Sequence, residues 1–147
     1  MRRVVLIFMS VLVMTVGLMA QSPFRSGLNI SAVFDGRYHD NPKVTETIIK
    51  GDALQKYKLT IYRGLTFDGM AEAAETLEPL LAKDGTSALE REVSYKGGHL
   101  YYAFYQMPSM VDNIYLFYLN RHLAGGDKIT LIYMRGDATI DDIKKML

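Results

Sequence analysis

Apolar residues along this chain follow two regimes. From Val4 to Val16 they are nearly continuous, behind Arg2 and Arg3 and ahead of the small residues Gly17 and Ala20. A positive start, an apolar run and a small residue are the layout of a secretory signal peptide, so residues 1–20 are read as a leader cleaved between Ala20 and Gln21. The competing reading is an uncleaved anchor, since about 17 apolar residues is the lower limit for crossing a bilayer. Ser10, Thr15 and Gly17 weaken the run and no basic cluster follows it, which favours cleavage.

Beyond the leader the apolar positions become periodic. Leu28, Ile30, Val33 and Phe34 predict a short helix that Asn29 or Ser31 could cap, and Val44–Lys50 and Tyr57–Leu65 read as strands. Met70, Ala73, Ala74, Leu77 and Leu81 recur at helical steps between Asp68, a candidate N-cap, and Gly85, a candidate stop; Pro79 predicts a break near Thr76–Glu78. Leu89–Lys96 and His99–Met107 flank Gly97 and Gly98, a pair suited to a two-residue hairpin turn. That turn sets Tyr95, Val93 and Arg91 against Leu100, Tyr102 and Phe104 on a core face. It places Glu90, Glu92 and Ser94 with Tyr101, Ala103 and Tyr105 on the other. Asn113–Arg121 and Lys128–Arg135 add two strands, and Thr139 caps a last helix ending at Leu147. No linker or repeat divides residues 21–147, so they form one α+β domain: a largely antiparallel sheet of about five to six strands with helices packed on one face.

Charge and composition narrow the chemistry. The formal net charge is +1, and two of the 17 basic residues lie in the leader, so no broad basic field exists for nucleic acid or an anionic membrane. The only expected membrane contact is through the precursor's signal peptide. The absence of Cys excludes disulfides, thiolate zinc sites, a Cys nucleophile and a lipoprotein anchor. His39, His99 and His122 lack metal-ligand spacing, and no phosphate- or dinucleotide-binding glycine motif or nucleophile elbow occurs; no metal or cofactor is expected.

Three features remain as candidate function. Glu90 and Glu92 are two residues apart on one strand, which sets their carboxylates about 6–7 Å apart on one side, near a glycosidase separation. They also alternate with Leu89, Arg91 and Val93 as the polar side of a half-buried strand does. Arg135-Gly136-Asp137 and Asn29-Ile30-Ser31 match an integrin-recognition tripeptide and a glycosylation acceptor, and both are read instead as a turn and a helix cap. Tyrosine is concentrated in the C-terminal strands, with Tyr101 and Tyr105 assigned to the side of Glu90 and Glu92. Such rings suit a binding face for an envelope protein or a glycan, and equally a sheet built of aromatics.

The run Val33-Phe34-Asp35-Gly36-Arg37-Tyr38, the strand Tyr57–Arg63, the hairpin through Lys96-Gly97-Gly98 and the final Arg-Gly-Asp with its short helix resemble a family of small exported proteins of unknown function from Bacteroides-type bacteria. The resemblance implies a periplasmic or outer-envelope location in a Gram-negative cell, and no catalytic or ligand residues. The reading is therefore an exported, non-catalytic binding module with Tyr101, Tyr105, Glu90 and Glu92 as its candidate surface; a small hydrolase acting through Glu90 and Glu92 is the alternative.

Overall fold

Period-two patterning resolves into six strands: β1 (Val44–Lys50), β2 (Leu59–Asp68), β3 (Glu90–Lys96), β4 (His99–Met107), β5 (Asn113–Leu123) and β6 (Gly126–Gly136). They pair antiparallel throughout, in one sheet of order β1-β2-β6-β5-β4-β3. The structure, a computed structural model, describes residues 27–147. The signal segment and the Ala20–Gln21 junction lie outside the described residues. The helical pieces are α1 (Ser31–Phe34), a 3-10 helix (Asp52–Tyr57), α2 (Ala73–Gly85) and α3 (Ile140–Met146). The α+β class and antiparallel sheet are those the sequence predicts.

The central strands are apolar at both parities, so the sheet carries two cores. Ala103, Tyr105, Leu116, Tyr118, Leu131 and Tyr133 pack on one face with Ile30, Val33 and Phe34 at α1 and Leu77 and Leu81 of α2. Phe104, Tyr115, Phe117, Ile132 and Met134 pack on the other with Leu54 of the 3-10 helix and Ile143 and Met146 of α3. This corrects the expectation of helices on one face: α1 and α2 share a face, and α3 covers the opposite one. Alternation forces the result, because a strand apolar at every position needs a cover on each side.

Long-range polar ties hold the covers down. The buried Asp84 carboxylate, at the end of α2, accepts from Asn29 N at 2.7 Å, Asn29 Nδ2 at 3.0 Å and Ile30 N at 2.9 Å. It thereby does for α1 what Asn29 or Ser31 was expected to do. Arg63 of β2 donates to Phe34 O at 2.6 Å and Glu46 Oε1 at 3.1 Å, binding α1 to β1 and β2. At α3, Thr139 Oγ1 accepts from Asp142 N and Asp142 Oδ2 accepts from Thr139 N, a reciprocal cap that the sequence placed correctly at Thr139. Pro79 does not break α2: one helix runs through it. Leu77 and Leu81 are fully buried on either side of Pro79, so tertiary packing outweighs the one backbone bond lost there.

Two glycines are required for different reasons. Gly97 sits at φ +58° in the β3–β4 turn, with nothing within 4 Å of where a Cβ would lie. At Gly136 a Cβ would lie 2.5 Å from Lys58 O and 2.6 Å from Leu59 Cα, because the β2 backbone crosses it closely. Gly136→Ala should therefore lose about 1–3 kcal/mol by urea denaturation, as overpacking does. Gly97→Ala pays only a left-handed backbone, about 1 kcal/mol. Equal losses would show that β6 can move away from β2.

Candidate functional site

The face of each hairpin residue is decided by one bulge. Lys96 pairs with His99 and Tyr95 with Leu100 across the glycine turn, as predicted, but Ser94 then pairs with Tyr102. Tyr101 is the extra residue of β4, and every later pair is displaced by one from the predicted register: Val93 meets Ala103, Glu92 meets Phe104, Arg91 meets Tyr105 and Glu90 meets Gln106.

That shift disperses the four candidate residues. Tyr105 turns into the core beneath α2 and is 3% exposed; a Cβ on Gly85 would lie 2.8 Å from its hydroxyl. Burial, then the neighbouring Tyr95, pushes that hydroxyl above its ordinary 10.0. Glu90 and Glu92 remain together, exposed, but on the opposite side of β3, where the Glu92 carboxylate accepts from Lys144 Nζ of α3. Tyr101 is half-buried with the Lys96 ammonium 3.7 Å from its ring centroid. Tyr105 thus belongs to the structural core, and the structure does not bring the candidate set into one surface.

What the bulge does assemble is a groove between α2 and the hairpin. Glu78, Pro79 and Ala82 form one wall and Tyr95, Gly98, Leu100 and Tyr105 the other, around about 250 Å³. Glu78 is held rigidly: Oε1 accepts from Leu100 N at 2.6 Å, and Oε2 lies 3.7 Å from His99 Nδ1. Tyr95 stands at the mouth, 64% exposed. The sequence reading missed this site because it set Tyr105 on the side away from Tyr95 and Leu100 and gave Glu78 no role; the pairing of Tyr95 with Leu100 was the available signal. Chemically the groove offers flat aromatic surface, a fixed carboxylate acceptor and a phenol. A smaller hollow of about 100 Å³ lies where Lys56, Tyr57 and Lys58 meet Asp142, Lys145 and Met146, with Lys58 and Asp142 ion-paired at 3.5 Å. Neither hollow is lined by Glu90 or Glu92.

The short motifs are absorbed structurally. Arg135 Nε donates to both oxygens of Asp112, at 2.8 and 3.0 Å, and Gly136 is packed against β2, so the tripeptide cannot be presented as a loop. Asn29 is engaged by Asp84 through backbone and side chain. Among the described residues no group of three His, Asp or Glu is placed to hold a metal, and no helix is long and apolar enough to cross a membrane.

The model of a family of unknown function, DUF6108, matches residues 13–147. The chain belongs to that family. No curated protein matches it. The DUF6108 match takes in every strand and helix described above, so the two-cored sheet and its groove lie wholly within the family's extent.

Tyr105→Ser in this DUF6108 chain should lower stability by about 3–5 kcal/mol, the cost of removing a buried ring. Tyr101→Ser should cost under about 1 kcal/mol, as surface changes do. Thermal melts of the two variants check the assignment, and the reverse order would restore the unbulged register.

Proposed function

We propose that this DUF6108 chain is an exported, non-catalytic binding module of a Gram-negative cell envelope, and that its ligand seats in the groove between α2 and the β3–β4 hairpin. One observation carries the reading: the exposed Tyr95 and the hydrogen-bonded Glu78 carboxylate line the same hollow of about 250 Å³. Ligand pockets for drug-sized molecules start near 300 Å³, so the groove suits a single ring or one residue of a longer chain. A saccharide unit of an envelope glycan has the matching chemistry. Its apolar face stacks on Tyr95, and its hydroxyls donate to Glu78. Export rests on the leader pattern of residues 1–20, and the envelope location on that pattern together with the resemblance.

The acid–base reading has less behind it. A glycosidase acid needs a desolvated carboxyl, whereas Glu92 is solvent-exposed and ion-paired to Lys144, and Glu90 is exposed beside it.

Binding of soluble envelope oligosaccharides, followed by calorimetry, tests the site. Tyr95→Ala should weaken binding about 30-fold, the effect of losing an anchor worth 2 kcal/mol. Glu78→Gln keeps an acceptor for Leu100 N and should cost about tenfold. Glu90→Gln with Glu92→Gln should leave affinity unchanged. Affinity unaffected by Tyr95→Ala would remove the groove from consideration, and turnover abolished by the double Gln change would establish the hydrolase. Edman sequencing of the envelope form should begin at Gln21; an intact Met1 in the membrane fraction would make residues 1–20 an anchor.

A further inference from the structure

The strand at one edge of the sheet is exposed on both faces, touched only by Lys144 of α3 at Glu92 and bordering the α2 groove at Tyr95. All seven residues of β3 are exposed, while β1, at the other edge, is half-buried along most of its length. Arg91, Val93 and Tyr95 lie on the α2 side of β3, opposite Tyr105, Ala103 and Leu100. Glu90, Glu92 and Ser94 lie on the α3 side, opposite Gln106, Phe104 and Tyr102. The outer backbone edge of such a strand is a template for another strand.

We infer that β3 pairs with β3 of a second copy of this chain, antiparallel about a two-fold axis through Val93, joining two six-stranded sheets into one. The sequence of β3 is self-complementary in that register. On the α2 side Val93 meets its counterpart and Arg91 meets Tyr95 twice, a cation against an aromatic face. On the α3 side Glu90 meets Lys96 twice and Glu92 meets Ser94 twice. No like charges oppose each other, and Val93 and Tyr95, two of the exposed large apolar side chains, gain cover.

Neighbouring registers do worse. A two-fold axis normal to a sheet pairs residues of the same side, so it must pass through a residue position. Through Glu92 it sets two carboxylates face to face. Through Ser94 it pairs Val93 with Tyr95 and Glu92 with Lys96, but leaves Glu90 and Arg91 without strand partners, so a shorter stretch of strand is joined. The same operation on β1, about Thr47, puts Glu46 against Ile48, an unmatched charge. A β3–β3 contact is also isologous and closes after two copies, whereas β1 against β3 would continue without end.

The chain contains no Cys, which makes the register directly readable. In the full chain carrying Val93→Cys the two introduced thiols would sit across one antiparallel pair, with Cα atoms about 4.5–5.5 Å apart, inside the range a disulfide spans. Mild oxidation should give a covalent species of twice the 16.6 kDa chain mass. Leu123→Cys, exposed at the end of β5, should stay monomeric. In sedimentation, Glu90→Lys should weaken the dimer about tenfold by opposing Lys96, and adding Lys96→Glu should restore it. A parent chain that sediments as a monomer at micromolar concentration, or Val93→Cys linking no faster than Leu123→Cys, would overturn the pairing. Dimer formation unmoved by Glu90→Lys would overturn the Val93-centred register.

Discussion

Everything in this fold follows from a sheet whose middle strands are apolar on both sides. Tyr115 and Phe117 alternate with Leu116 and Tyr118 on β5, and Ile132 and Met134 with Leu131 and Tyr133 on β6, so water must be kept from two faces at once. The helical material available is limited: α1 has 4 residues, α2 has 13, α3 has 7 and the 3-10 helix has 6. It covers the sheet from β2 to β4 and stops there. The uncovered β3 is the geometric remainder of that shortage, and its alternation of Glu and Arg is how an exposed strand stays soluble.

Much of this was legible in the residues. Gly97-Gly98, the Thr139 cap and the approximate spans of all six strands came from turn chemistry and period, which act over a few residues. The Tyr101 bulge did not, because Leu100-Tyr101-Tyr102-Ala103-Phe104-Tyr105 is apolar at both parities and carries no signal of where one side ends and the other begins. The face of Tyr105 was lost with it, and so was the groove. The side covered by α3 was invisible for the same reason: an amphipathic helix announces an apolar stripe, not which of two apolar surfaces receives it.

The polar ties were illegible for a different reason, which is distance along the chain. Asp84 serves backbone groups 54 and 55 positions away, and Arg63 reaches a carbonyl 29 positions away. Nothing local at Asn29 or Arg135 indicates that a carboxylate from elsewhere will occupy it. Both short motifs look like recognition signals in one dimension because their partners, Asp84 and Asp112, are supplied only by the fold.

The strand order also governs how the chain must acquire its shape. β3 to β6 form a meander of successive neighbours, so their pairings close short loops and can form early. The join of β2 to β6 is of another kind, since it brings Leu59 against Gly136. Loop closure over that span delays it until the last strand exists. The β1–β2 hairpin is made first on the ribosome and is docked last. During that interval its Ile61, Leu65 and Phe67 have no cover, and transiently exposed apolar strands of this kind are where a folding chain is most prone to associate.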